Sequence, residues 1–251
     1  MTAPIATHTR MNAGVLAARE RQALIWLAHR LPRWVNSDHL TLLALVAMAG
    51  AGASFWAAGS WPPAVGLVVV SLAVNWFGDS LDGTLARVRK HERPRYGFYV
   101  DHVLDIAGAS LLFGGMSLSG FMSPVIGLAV LAAYLLVSAE VFLATAVHGK
   151  FRMSFLRVGP TELRIILSLG ALALFSHPIV RPFGYGPFLL FDVGGVVAVL
   201  GMGMAFATSA ICTTMALYRS EPLPAVNDAS KPVAGALHRP VSLSVGERRV
   251  S

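Results

Sequence analysis

The sequence predicts an all-α polytopic membrane protein: a bundle of six transmembrane helices preceded by an amphipathic interfacial helix. Three observations carry this. The 251 residues are 55% hydrophobic and only 13% charged, against about 25% charged in soluble domains, and the mean hydropathy is +0.63. Apolar runs recur at the roughly 20-residue length that a bilayer core requires. The cations are also segregated: of 20 Lys and Arg, only Arg181 falls outside the termini and the alternate connections assigned to one side. The positive-inside rule makes that side, with both termini, cytoplasmic.

The elements follow in chain order. Residues 1–10 are polar, and no apolar core with a small-residue cleavage site precedes the first charged segment, so no secretory signal is read. Residues 12–33 place Leu16, Leu24, Leu27 and Leu31 on one side and Arg19, Arg21 and Arg30 elsewhere, the pattern of a helix lying along the membrane surface as an anchor. Residues 1–36 therefore form a cytoplasmic N-terminus. Asn36-Ser37-Asp38 offers a cap for the first apolar run. Spans are predicted at about 39–59, 63–88, 97–118, 121–148, 161–178 and 189–218. They are divided by Ser60-Trp61-Pro62-Pro63, by Arg89 to Arg95, by Ser119-Gly120, by Lys150 to Pro160 and by Pro178 to Pro187. Together they make one membrane domain over 37–218. Residues 219–251 are rich in Pro, Ser and Arg and are predicted to be a disordered cytoplasmic tail.

The net charge of +7 is accounted for by orientation in the membrane, so no nucleic acid is implied. The single cysteine, Cys212, excludes an intrachain disulfide and argues against a thiolate metal site.

The most informative stretch is Asn75 to Asp105. Asp79 and Asp82 lie near the end of the second span, and Asp101 and Asp105 open the third. Residues three and four apart share a helix face, so each pair points one way, and packing of the two helices would bring four carboxylates together. Like charges raise one another's pKa. Hard divalent cations supply the missing charge and prefer oxygen ligands. Two-ion clamps of this kind serve displacement at phosphorus. Gly83 and Ala86 leave room for a close approach, and Arg87 is a forked cation suited to phosphate. With a rise of 1.5 Å per residue, Asp79 lies about 24 Å and Asp82 about 28 Å into a span that enters from outside near Pro63, in a core about 30 Å thick. Both acid pairs thus lie in the cytoplasmic leaflet. A charge inside a membrane is costly and functional by default.

Asp79-x2-Asp82-Gly83-x2-Ala86-Arg87-x9-Gly97-x3-Asp101-x3-Asp105 resembles the signature of the CDP-alcohol phosphatidyltransferases, and each fixed position is matched. The resemblance covers roughly residues 37–218, with its specific part at 75–105. It implies an enzyme of phospholipid synthesis that transfers a substituted phosphoryl group from a CDP-linked donor to an alcohol or lipid acceptor, releasing CMP. Mg2+ or Mn2+, as two ions held by Asp79, Asp82, Asp101 and Asp105, would grip the pyrophosphate. Asp105 resembles the family's general base. Gly83, Ala86 and Gly97 would let the nucleotide approach the backbone, and Arg87 would stabilise departing CMP. A homodimer in the membrane is implied as well.

Other residues keep two readings. His102 is an alternative base by its ordinary pKa, yet a one-residue helical step turns it about 100° from Asp101. Asn75, one turn before Asp79, either hydrogen-bonds the nucleotide or orients a ligand. Gly159-Pro160-Thr161-Glu162 resembles a segment of choline and ethanolamine phosphotransferases, which would place Thr161 and Glu162 against substrate; the same two residues suit a helix start. Lys150, Arg152 and Arg157 bind an acceptor phosphate or obey the topology rule. Glu140 either faces the site or is bonded within the bundle. The glycines at 194, 195, 201 and 203 suit close helix packing. Two rival functions stand beside the transferase: a membrane prenyltransferase using a prenyl pyrophosphate, and a non-catalytic cation-binding or transport protein, although transport sites lie nearer the midplane.

Overall fold

The computed structural model describes residues 15–148 and 160–221. Its helices are α1 (Val15–Arg30), α2 (Ser37–Ala58), α3 (Ala64–Val88), α4 (Pro94–Leu118), α5 (Pro124–His148), α6 (Pro160–Ala173) and α7 (Leu190–Ser220). The predicted loose N-terminus, Lys150, Arg152, Arg157 and Gly159, and the tail after Glu221 lie outside the described residues. The described residues up to Ile211 form one compact unit, and Cys212 to Glu221, at the end of α7, belong to a second.

Local chemistry sets the boundaries. Asn36 begins α2 as predicted: its side chain accepts from the His39 N–H at 3.0 Å, and its own N–H donates to His39 Nδ1 at 3.4 Å. This reciprocal box satisfies donors that the first turn leaves orphaned. Pro94 occupies the first turn of α4, where its missing N–H costs nothing. Between α6 and α7 the chain makes a two-residue antiparallel pairing, β1 (Ile179–Val180) with β2 (Phe188–Leu189), around a 3-10 turn at Pro182–Gly184. The sequence marked this segment only as a break.

Among the described residues, four helices, α2, α3, α5 and α7, are long and apolar enough to cross a bilayer. That makes the chain an integral membrane protein, and it differs from the predicted six. The two others have identifiable reasons. Helix α4 has 25 residues, but Asp101, His102 and Asp105 dilute its apolar character. Helix α6 has 14 described residues and ends at Ala173, with turns carrying the chain to Pro178.

The main core gathers Phe55 of α2, Val65, Val68 and Leu72 of α3, and Leu112 and Met116 of α4, all 2% exposed or less. Phe191 of α7 meets Phe55 edge-on, with ring centroids 5.4 Å apart. The α2–α4 seam is very close: a Cβ placed on Gly115 would land on the Gly52 carbonyl, a contact that only glycine permits. Of the four glycines read as packing residues, Gly195 meets Ile126 and Met122 of the α5 region, while Gly194, Gly201 and Gly203 face open space. Large apolar side chains on the outer faces, such as Leu128, Leu136 and Leu143 of α5, are exposed, as befits a chain whose solvent at that depth is lipid.

A second, smaller core sits under α1. Leu24 and Ala28 are buried with Leu40, Leu81 and Leu85. The apolar side predicted to anchor in the membrane is therefore packed, at these positions, on the protein. Trp26 remains on the outer face, 52% exposed, with the Arg30 guanidinium 3.7 Å from its ring centre. Arg89, just past α3, closes the connection from α1 to α2. It donates to the carbonyls of Leu31 at 3.0 Å, of Pro32 at 2.9 Å and of Val35.

Candidate active site

Helix α3 brings one carboxylate and helix α4 two to a single cluster. One oxygen each from Asp79, Asp101 and Asp105 lie within 4.8 Å of one another. Asp101 and Asp105, four apart on α4, share a face as predicted, and Asp79 meets them from α3. Asp82 is not in this group. Its carboxylate turns to α2, where the Thr41 hydroxyl donates to Oδ2 at 2.8 Å and the Gly83 N–H donates to Oδ1. The Ser37 hydroxyl donates to the Asp82 carbonyl at 3.0 Å. A three-residue helical step rotates a side chain by about 60°, enough here to change its neighbour from α4 to α2. The predicted convergence of four carboxylates is thus, in this structure, a convergence of three.

Asp79 has a partner that the sequence did not reveal. Arg164, on α6, donates from its terminal nitrogen to Asp79 Oδ2 at 2.7 Å and from Nε to Asn75 Oδ1, also at 2.7 Å. Asn75 is buried and donates from Nδ2 to the Ala44 carbonyl of α2 at 2.9 Å. Both ends of its amide are engaged with protein, which is the geometry of an orienting residue. The sequence assigned Arg164 only to topology. The available signal was its position, four residues inside an apolar span.

Glu20 of α1 makes a second contact that the sequence does not signal. It accepts from the Trp76 indole of α3 at 2.9 Å and from the Thr161 hydroxyl of α6 at 3.5 Å. Thr161, predicted at substrate, is thus occupied with α1. Glu162 is exposed in the first turn of α6.

His102 packs its ring against Phe98 and Phe142, at centroid distances of 4.1 and 5.1 Å. Its Nδ1 lies 2.7 Å from the Phe98 carbonyl; a carbonyl only accepts, so this nitrogen carries the proton. Glu140 is buried on α5. Asp192, at the start of α7, accepts from the Ser123 N–H at 2.7 Å and from the Ser123 hydroxyl, joining α7 to the start of α5.

The remaining motif residues stand at the C-terminal end of α3 and the start of α4. Arg87 is exposed, and it donates to the Thr84 hydroxyl at 3.1 Å. Its guanidinium lies over Gly83, 3.5 Å from where a Cβ would stand. Ala86 lines a cavity of about 370 Å³ with Asn36, Asp38, Arg89, Glu92 and Arg93. The three carboxylates are not part of its wall. Arg93 closes one side by donating to Asp38 at 2.6 Å, and that contact holds the Arg93 guanidinium above its ordinary pKa range. Gly97 is exposed, with open space where a side chain would be.

The donor set is all-oxygen and anionic, which suits a hard divalent cation. Asp79, Asp101 and Asp105 are the described residues able to hold one.

An α-helical membrane fold with a carboxylate cluster shared between two adjacent helices is thus the class that the chain defines. The fold is also that of the Mycobacterium tuberculosis phosphatidylinositol phosphate synthase (PgsA1), in a crystal structure with CDP-DAG bound. The likeness has a TM-score of 0.58 at 18% identity and covers 76% of this chain and 94% of that one. No protein-family model and no curated protein matches the sequence.

Proposed function

We propose that this chain is a CDP-alcohol phosphatidyltransferase: a membrane enzyme of phospholipid synthesis that moves a substituted phosphoryl group from a CDP-linked donor to a hydroxyl and releases CMP. The observation that carries the reading is the meeting of Asp79 with Asp101 and Asp105, on a fold shared with a protein that binds CDP-DAG. In this reading α4 and α6 cross the membrane beside the four apolar helices, and the cluster lies in the cytoplasmic leaflet. A soluble nucleotide reaches it from one side and a lipid tail from the other. Pairing of two copies in the membrane belongs to the same reading.

Asp79, Asp101 and Asp105 hold the divalent ions, Mg2+ or Mn2+, with Asp82 next to them on α3. The bound metal supplies positive charge to the pyrophosphate. Asp105 takes the proton from the acceptor hydroxyl. The freed oxygen bonds to the phosphorus distal to CMP, and the bond from that phosphorus to the CMP oxygen breaks. Arg87, exposed beside Gly83, binds the charge that develops on the departing nucleotide. Gly83, Ala86 and Gly97 present backbone or a small side chain along the nucleotide's path. His102, packed against Phe98 and Phe142 with Nδ1 on the Phe98 carbonyl, stands as the alternative base.

The test is CMP release by the purified chain. CDP-diacylglycerol and CDP-ethanolamine are offered separately with a panel of acceptors, with Mg2+ and with chelator. CMP formed with one donor and lost under chelation supports the reading and identifies the donor. No CMP from either, by folded protein, refutes it and turns attention to prenyl pyrophosphates and cation flux.

A further inference from the structure

We infer that Arg164 and Asn75 are positioning residues for the Asp79 carboxylate, a clamp that aims one metal ligand from its own helix, α3, and from α6. The inference rests on the metal role given to Asp79 above. Asn75 and Asp79 lie four apart on α3 and so present side chains on one face. Arg164 spans both from α6, with two contacts of 2.7 Å. Its side chain is 15% exposed and that of Asp79 is 23% exposed. The guanidinium is a rigid planar fork, so fixing Nε on Asn75 fixes the direction of the terminal nitrogen. Asn75 is itself fixed by its bond to the Ala44 carbonyl. The series therefore runs from the backbone of α2, through a buried amide and a guanidinium, to one carboxylate oxygen.

That matters because the terminal torsion of an aspartate is broad and roughly two-fold. Left alone, the carboxylate of Asp79 would turn. Held at Oδ2, its plane is set beside Asp101 and Asp105. Partners that hold a metal ligand commonly change metal affinity by about 10–100-fold when removed.

The experiment measures Mn2+ binding by electron paramagnetic resonance on the full chain in lipid nanodiscs, without nucleotide or acceptor. Two variants conserve charge, so Coulomb repulsion between Arg164 and the ion is unchanged. Asn75→Leu removes the partner of Nε. Arg164→Lys keeps a cation that cannot span both residues. Each is expected to weaken Mn2+ binding about tenfold or more, and the double variant to be no weaker than the worse single one, because both break one clamp. Wild-type binding in either variant, with an unchanged circular dichroism spectrum, overturns the inference, as does additivity in the double variant. If Mn2+ binding holds while the KM for donor or acceptor rises, Arg164 is a substrate contact and the clamp is refuted. If Asn75→Leu fails to fold, Arg164→Lys decides alone. A wild-type chain that binds no Mn2+ refutes the metal reading itself, and this inference with it.

Discussion

Thr41 on α2 and Asp82 on α3 face each other hydroxyl to carboxylate at 2.8 Å. Their contact divides the Asp79-x2-Asp82 pair between two neighbours: Asp79 belongs to the cluster with α4, and Asp82 ties α3 to α2. A hydrogen bond to a charged group contributes about 1.5–3 kcal/mol. Thr41→Val removes the donor at nearly constant volume and should lower the apparent thermal midpoint by several degrees. Thr41→Ser keeps the hydroxyl and should cost much less. Equal midpoints for the two variants would contradict this account of Asp82.

Asp105→Asn should fold as the wild type does and lose CMP release. General-base catalysis contributes about 10²–10⁴-fold, so the residual rate should fall in that range. The assay is single-turnover CMP formation at saturating Mg2+. A variant retaining more than a tenth of the wild-type rate would remove Asp105 from the base role and return His102 to consideration.

Chelation should abolish CMP release reversibly, and added Mg2+ or Mn2+ should restore it. The all-carboxylate donor set predicts that softer ions substitute poorly. Activity that survives exhaustive chelation would separate the carboxylate cluster from metal binding.

Asn36→Ala removes the side-chain half of the box that starts α2 and leaves the backbone N–H that donates to His39. Loss of such a cap costs about 1 kcal/mol, to be read as a lower midpoint in detergent, with no change in the KM for Mg2+. Asn36→Asp should be nearly neutral. A drop in Mg2+ affinity would mean instead that the start of α2 reaches the cluster.

Gly115→Leu should be more damaging than Gly114→Leu, at its neighbour in sequence. A side chain at Gly115 meets the Gly52 carbonyl, whereas one at Gly114 meets open space. Overpacking costs about 1–3 kcal/mol in a core that can adjust, and a backbone carbonyl adjusts little. Yield of monodisperse protein in detergent is the measure; equal yields from Gly114→Leu and Gly115→Leu would place the α2–α4 seam elsewhere.

Much of this was legible in the sequence because it is local. The cap at Asn36, the ends of α3 and α4, and the face shared by Asp101 and Asp105 follow from spacing and side-chain chemistry within a turn or two. Where helix pairs meet does not follow from spacing. Asp82 was read with Asp79 because three residues share a broad face, and only the position of α2 beside α3 decides that Thr41 takes it. Arg164 counts as one more cytoplasmic cation until α6 is seen against α3. The six predicted spans rest on a hydropathy rule that α4 strains, since residues suited to chemistry dilute the apolar character that marks a crossing.

Glu20 accepts from Trp76 of α3 and Thr161 of α6, and this bears on how the chain can be shortened. A chain begun at residue 37 would keep every residue of the aspartate motif and each of the four apolar helices. It would nevertheless lose the one described side chain that joins those two helices from outside, and it would uncover Leu81 and Leu85, which α1 now covers. Fusions placed directly before Val15, and deletions reaching it, act on the framework of the cluster although they lie more than fifty residues from its first aspartate. The smallest working form of this protein therefore begins ahead of α1.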